Sequence, residues 1–329
     1  MKLRCRTFLH LAAILVLALL PLAAQAETYP SRPARIIVGF PAGGPQDITA
    51  RIIAQWLSER LGQQFLVESK AGAGGTIGAD YVVNSPPDGY TLLLSGPPNT
   101  IAVSLYRDKL KWNFVHDMAP VAAISRVPLV VEIYPGVPAK TLPDLIGYIK
   151  ANPGKVSVGT SGIGSPSHVF GAFFQNTIQA KFEFIPYRSA GDSQKDLVGG
   201  QVDMIVDTAA TSGQNVKSGL IKAYVLAGKD RSSVLPDIPT VDEAGLPGMY
   251  FYFWHALWVP KGTPKPVIAK LNDALVKAVN DPATHDRLLK AGQEFFPASM
   301  MTPDGLAKFQ REETEKWWPV IKAQGIKVQ

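Results

Sequence analysis

Two copies of a strand–glycine loop–helix pattern limit the fold of this chain more than any other feature. The first copy, Arg35–Gly62, is an apolar strand segment followed by a Gly/Pro loop and an amphipathic helix, and the second is Val156–Phe174. Apolar strands without polar alternation are typical of parallel sheets covered on both faces. Repeated strand–helix alternation predicts right-handed βαβ units. We therefore predict an α/β fold, and the length of 329 residues favours two domains.

Both loops are suited to hold an anion. The first N–H groups of a helix have no intrahelical partner, and the helix dipole is positive at that end. In the first loop Gly43 and Gly44 leave the backbone open to a ligand, and Asp47 is predicted to cap the helix rather than act as an acid. The second loop, Thr160–His168, is rich in hydroxyl groups that match a carboxylate. Two such loops predict one ligand between two lobes, although Phe40–Asp47 alone is equally consistent with a plain strand-to-helix connection.

The N-terminus has the pattern of a secretory signal peptide. Three basic residues among the first six positions precede the apolar run Phe8–Leu20, and Ala24 and Ala26 supply the small residues of a cleavage site. A membrane anchor is the alternative, but the run is short for a span. We expect cleavage after Ala26 and a periplasmic location. The only cysteine, Cys5, lies in this segment, and export without disulfides fits a bacterial periplasmic protein.

The sequence contains none of the catalytic or cofactor motifs that would indicate an enzyme. It has no G-x-S-x-G turn and no G-x-x-x-x-G-K-[ST] loop, and Gly72, Gly74 and Gly78 miss the dinucleotide-binding spacing by one residue. The histidines after position 26 lack metal-ligand spacing. The net charge of +6 comes without a Lys/Arg run, so nucleic acid is not expected as a partner. We predict a binding protein with no catalytic residue, no metal and no cofactor.

The C-terminal part of the chain predicts how the lobes are joined. A long aromatic strand, Tyr250–Pro260, is followed by helical patterns that need an existing sheet to pack against. We expect these helices on the first lobe, so that lobe 1 comprises residues 27–126 and 253–329 and lobe 2 comprises residues 127–252. The chain then crosses between the lobes near Ser125–Val130 and Tyr250–Ala256, an arrangement suited to a hinged cleft.

Five segments resemble, in order, the Bug-type receptors, the extracytoplasmic solute-binding proteins of tripartite tricarboxylate transporters. They are YPSRPARIIVGFPAGGPQD, SPPDGYTLLLS, VGTSGIGSPSH, IPYRSAGDSQKDLVGGQVDMIVD and LPDIPTVDEAGLPG. The resemblance covers essentially the whole chain after the signal peptide. It implies a two-lobe clamshell like the type II periplasmic binding proteins, each lobe a mostly parallel sheet flanked by helices. It also implies capture of a small carboxylate, such as a di- or tricarboxylate, and delivery to a large and a small membrane subunit.

The resemblance further implies which residues hold the ligand. In this family the two strand-to-helix loops grip one carboxylate, partly through ordered water, and the ends of strands in the second lobe face the distal part of the ligand. The implied residues are Phe40, Ala42, Gly43, Gly44, Asp47, Ser95 and Gly96 in lobe 1, and Thr160, Ser161, Gly164, Ser165, His168, Tyr187, Arg188 and Asp207 in lobe 2. From the residues alone, His168 is better explained as a packed or solvated histidine than as a ligand contact.

The chain departs from the family pattern at two places. Ala42 replaces a common proline and Pro45-Gln46 replaces small residues, while Tyr187–Asp192 differs from the usual Tyr-Lys/Arg-Gly-Ser/Thr-Ala-Pro. As a hypothesis, Asp192 disfavours a second carboxylate and prefers a hydroxyl or amino group; the alternative is that it caps the next helix.

The sequence also leaves the biological role of binding open. We expect a monomer. The alternative to a transport receptor is a receptor that presents its ligand to a two-component sensor. From a different class, a hydrolase or isomerase on the same scaffold is the second alternative.

Overall fold

The computed structural model describes residues 29–105 and 110–323. The predicted signal peptide, residues 1–26, lies outside this range. Within the described range, no helix combines the length and the apolar character needed to cross a membrane.

The described chain alternates strands and helices through most of its length. The strands are β1 (Ala34–Val38), β2 (Phe65–Ser69), β3 (Thr91–Ser95), β4 (Met118–Ile133), β5 (Ser157–Thr160), β6 (Glu183–Pro186), β7 (Met204–Thr208), β8 (Lys222–Leu226), β9 (Tyr252–Pro260) and β10 (Glu294–Phe295). The helices are α1 (Pro45–Leu61), α2 (Thr76–Val83), α3 (Pro97–Leu105), α4 (Phe114–Asp117), α5 (Leu142–Ala151), α6 (Pro166–Thr177), α7 (Ala190–Val198), α8 (Ala209–Lys217), α9 (Lys265–Asn280), α10 (Pro282–Lys290) and α11 (Pro303–Ala323). Short 3-10 turns cover Ala73–Gly75 and Ala298–Met300.

Two parallel groups of strands are joined by long antiparallel strands. The strand order is β2-β1-β3-β9-β4-β7-β5-β6, and β8 and β10 also pair with β4. Strand β1 is parallel to β2 and β3, and β5 is parallel to β6 and β7. Strand β9 is antiparallel to both β3 and β4, and β4 is antiparallel to β7. The predicted α/β architecture with mostly parallel sheets flanked by helices is therefore confirmed, with antiparallel strands in the centre.

Strands β4 and β9 pass from one hydrophobic core to the other. On β4, Ile124 belongs to the first core and Val127 to the second. On β9, Trp254 belongs to the first core and Phe253 to the second. The first core otherwise draws on the early βα units and the C-terminal helices, and the second on the middle of the chain. The change of core lies between Ile124 and Val127 on β4 and between Phe253 and Trp254 on β9.

The last helix makes a further connection that the sequence analysis did not predict. In α11, Leu306 lies in the first core, whereas Trp317 and Ile321 lie in the second. The Trp317 ring packs against Phe251 with centroids 4.5 Å apart and edge-on against Phe173 at 5.8 Å. The C-terminal helices therefore contact both cores, rather than the first alone.

Candidate functional site

A cavity of about 390 Å³ lies between the first loop and the strand ends of the second core. Its first wall is the segment 40–46 with Ile48, and Phe253 of β9 lies nearby. The second wall is built from Leu129, Ser161, Pro166, Ser167, Ser189, Ala190, Gly191, Gln194, Val206, Asp207, Thr208, Ala210 and Thr211. Among these described lining residues there is no Lys, Arg or His. A ligand in this cavity therefore meets neutral donors and one carboxyl group.

The first loop leaves the N-terminus of α1 open toward the cavity. The helix begins at Pro45, and its N-cap residue is Gly44, which has no side chain to occupy the free N–H groups. Gly43 adopts a φ of +86°, a conformation that favours glycine. The loop thus presents backbone donors with little steric cover.

The predicted capping role of Asp47 is wrong in position, because Asp47 lies in the first turn of α1 and Gly44 is the N-cap residue. Its Oδ2 accepts a hydrogen bond from the Gly43 N–H at 3.0 Å and another from Arg51 Nε at 2.8 Å. Asp47 therefore fixes the loop from inside the helix, and Arg51 balances its charge.

The second loop is held by its own hydroxyl groups and by His168. Ser165 is the N-cap residue of α6, and its Oγ accepts the His168 N–H at 3.3 Å. Ser167 Oγ accepts the Ser161 N–H at 3.0 Å. The His168 Nδ1 accepts the Gly164 N–H at 3.0 Å, which requires a neutral ring. Burial lowers the pKa of His168 to about 4, so the ring stays neutral at physiological pH.

Two further helices also direct their N-termini at the cavity, and the sequence analysis did not identify them. Helix α7 is capped by Ser189, whose Oγ accepts the Asp192 N–H at 3.1 Å. Helix α8 is capped by Thr208, whose Oγ1 accepts the Thr211 N–H at 3.4 Å. With α1 and α6, four helix N-termini surround one cavity. Their dipoles all favour negative charge at this position. The N-cap residues mark each helix start in the sequence. The meeting of these helix N-termini at one cavity depends on the order of the strands in the sheet.

Asp207, the second-to-last residue of β7, lies at the cavity floor and is the one acidic side chain among the described lining residues. Its Oδ1 accepts the Thr208 N–H at 2.7 Å. Burial raises the pKa of Asp207 to about 6, although the Thr208 and Thr211 donors oppose the shift. Glu132 of β4 is completely buried, and its partner in the β4–β7 register is Ile205, two residues before Asp207. Burial, reinforced by the charge of Asp207, raises the pKa of Glu132 well above its ordinary value. Burial therefore favours the neutral form of Glu132 behind the floor.

The structure separates the predicted ligand residues into three groups. Phe40, Ala42, Gly43, Gly44, Ser161 and Asp207 line the cavity. Tyr187 and Arg188, with Phe40 and Ser161, line an adjoining cavity of about 720 Å³. Asp47, Ser95, Gly96, Thr160, Gly164, Ser165 and His168 line neither cavity. The lining residues that the analysis missed as ligand contacts include Gln46, Gln194, Thr208 and Thr211.

Asp192 also lies outside the lining of both cavities. It is not the cap of α7, because Ser189 holds that position, and its Oδ2 accepts a hydrogen bond from Ser189 Oγ at 2.8 Å. Asp192 is the partner of the capping residue. In residues 29–105 and 110–323, no cluster of three His, Cys, Asp or Glu side chains is arranged to hold a metal ion.

Two α/β lobes around a cavity at their junction define the class: this is the architecture of a periplasmic-type solute-binding protein. Residues 49–326 match the tripartite tricarboxylate transporter family receptor model, and the chain belongs to this family. The resemblance to Bug-type receptors is therefore confirmed.

Three solved structures are similar over almost the whole chain. The periplasmic binding protein BugD is 34% identical, with a TM-score of 0.85 over 92% of this chain and 100% of its own. MatC from Rhodopseudomonas palustris, solved with bound malate, is 33% identical, with a TM-score of 0.83 over 89% of this chain and 100% of its own. R. palustris Rpa4515, solved with adipate, is 28% identical, with a TM-score of 0.85 over 91% of this chain and 99% of its own.

Proposed function

We propose that this protein is a periplasmic receptor that binds a small organic carboxylate between its two lobes. One observation carries the proposal: the uncapped N-terminus of α1 and three other helix N-termini surround a cavity in which no described lining residue is cationic. Backbone N–H groups at a helix N-terminus bind anions through free donors and the dipole. The malate in MatC and the adipate in Rpa4515 support the same ligand class for this chain.

Binding would close the two lobes around the ligand. The ligand contacts α1 on one side and α6, α7 and α8 on the other, so the closed form gains contacts that an open form lacks. The hinge would lie where β4 and β9 change cores, with lobe 1 comprising residues 27–126 and 253–329 and lobe 2 comprising residues 127–252. Hinge motion of this kind needs only a few residues at element boundaries.

The loaded receptor would deliver its ligand to the large and small membrane subunits of a tripartite transporter. Family membership supports this role. The proposal includes export by a signal peptide cleaved after Ala26, a monomeric state, and binding without catalysis or cofactor.

The test is a thermal-shift and calorimetric screen that pairs small carboxylic acids with their methyl esters. A ligand that binds the native state raises the melting temperature by mass action, so the acids should shift the transition and the matched esters should not. If esters and other uncharged compounds shift the transition and acids do not, the proposed carboxylate site is wrong.

A further inference from the structure

Two buried polar side chains in the cavity wall have hydrogen-bonding groups without a partner among the residues that the structure describes. Gln46 is 1% exposed, and neither its Nε2 nor its Oε1 has a partner among the described residues. Asp207 is 7% exposed, and its Oδ2 likewise has no partner in the described part of the chain. Both residues line the same cavity. Buried polar atoms are nearly always paired in folded proteins, so these groups have the character of ligand contacts.

The two side chains come from opposite walls. Gln46 lies in the first turn of α1, two residues after Gly44, and Asp207 is the second-to-last residue of β7. Gln46 offers two donors and one acceptor, whereas an ionised Asp207 is an acceptor only. A ligand group that satisfies Asp207 must therefore donate a hydrogen bond.

We propose that the receptor selects an acid with one carboxylate at the α1 N-terminus and a hydrogen-bond donor, a hydroxyl or ammonium group, held by Asp207 and Gln46. This inference rests on the proposed carboxylate-binding function and names the ligand subclass. The selectivity first assigned to Asp192 belongs to Asp207, since Asp207 faces the cavity and Asp192 does not.

The charges around Asp207 argue against a second carboxylate there. The described lining contains no cation to balance two neighbouring negative charges. Like charges at short distance repel, and they repel more strongly where burial lowers the local dielectric constant. Among the described lining residues of the two cavities, the one cationic side chain, Arg188, belongs to the adjoining cavity. A diacid therefore either leaves Asp207 unpaired or places its second carboxylate against it.

The experiment is titration calorimetry with ligands that share one carbon chain and differ at the far end. For each chain length, the series comprises the unsubstituted acid, the ω-hydroxy acid, the ω-amino acid and the diacid. Hydrogen bonds to a charged group predict that the hydroxy or amino acid binds the wild type about 10- to 100-fold more tightly than the diacid of one of these lengths.

Substitutions at Asp207 and at Gln46, on opposite walls of the cavity, test which residue causes the preference between ligands. Asp207→Asn should reduce the preference over the diacid by about tenfold or more, because the amide removes the charge and adds a donor. Gln46→Leu should weaken the hydroxy or amino acid by about tenfold and leave the unsubstituted acid nearly unchanged. If Asp207→Asn does not fold, as judged by circular dichroism, the wild-type series and Gln46→Leu decide the outcome.

Three results would overturn the inference. The inference is contradicted if the wild type prefers the diacid at every chain length. If Arg188→Gln then loses this preference, the second carboxylate of the diacid lies in the adjoining cavity. Equal effects of Gln46→Leu on all four ligands would mean that Gln46 has a structural role only. In both cases carboxylate binding stands, whereas failure of every acid to bind would overturn the proposed function as well.

Discussion

The buried carboxyl group of Asp207 destabilises the ligand-free protein near neutral pH, and the same group is proposed to bind the ligand. Its carboxyl group is removed from water at the cavity floor, and the neighbouring Glu132 is buried behind it. Burial raises the pKa of both groups because the charged form loses hydration. A hydrogen-bond donor on a bound ligand would replace the lost hydration of the ionised Asp207 carboxylate. The ligand-free protein therefore holds a destabilising group in its binding site, as functional sites often do.

Asp207→Asn should stabilise the ligand-free protein relative to the wild type near neutral pH, but not in acid. The pKa of Asp207 rises from 3.8 to about 6 on folding, so stability from this group is complete below pH 3.8 and is lost as the pH rises through 6. A shift of this size corresponds to at most about 3 kcal/mol. Urea unfolding of both proteins from about pH 4 to about pH 8 measures the difference. A difference in unfolding free energy that does not grow with pH would contradict the assignment.

At the scale of helices and strands, local signals predicted the helices well. The bounds of helix α5, Leu142–Ala151, follow from local signals: Thr141 and Asp144 form a capping box at its start, and Asn152-Pro153-Gly154 ends it. Helix α6 begins at the Ser165-Pro166 pair, an N-cap serine followed by a proline in the first helical position, which is a local start signal. Where such a helix begins and ends depends on residues that are adjacent in sequence, so sequence patterns predict it.

Features that depend on distant partners were not predictable in the same way. Strand β4 runs for 16 residues and contains Pro120, Pro128 and the buried Glu132, none of which favours a strand. Its pairing with β9 and β7 stabilises it, and that pairing appears only in the folded chain. The convergence of α7 and α8 on the cavity has the same origin. The two glycine-rich loops were predictable because each is a local strand-to-helix turn.

Trp317→Ala should lower the free energy of unfolding by about 3 to 5 kcal/mol, as expected for the loss of a buried indole. Trp317 is 2% exposed and connects α11 to the second core through Phe251 and Phe173. Leu220→Ala is the matched control, because Leu220 is 50% exposed and its loss should change stability by less than about 0.5 kcal/mol. Chemical denaturation measures both variants. If both substitutions change the free energy of unfolding by the same small amount, α11 does not join the two cores.

At the scale of the whole molecule, the two lobes share strands rather than a flexible linker. Where β4 and β9 change cores, Ser125 and His255 both contact the Gln293 side chain, at 2.8 and 3.1 Å. Burial lowers the pKa of His255 to about 3, so this cluster stays neutral. Farther out, the backbone near Gly74 approaches the loop at Gly164 from the opposite lobe. The lobes therefore face each other across the cavity, and the buried, paired segments of β4 and β9 around Ser125 and His255 connect them.

The central claim is that the open N-terminus of α1 holds the carboxylate of the ligand, and substitutions at Gly44 test it most directly. Gly44 has a φ of −80°, and an added Cβ would meet only the Pro41 carbonyl oxygen at 3.7 Å, so other residues fit. In Gly44→Asp, the new carboxylate would cap α1 and occupy the position of the ligand's charge. Gly44→Asn offers a neutral cap of the same size, and Gly44→Ala offers none.

The measurement is calorimetric titration of the three variants with the tightest acid from the screen. We predict that Gly44→Ala binds nearly as the wild type does, that Gly44→Asn binds more weakly, and that Gly44→Asp loses a further factor of about ten or more. Folding of each variant is checked by its thermal transition. If Gly44→Asp binds the acid as tightly as Gly44→Ala, the carboxylate does not lie at the α1 N-terminus and the account is wrong.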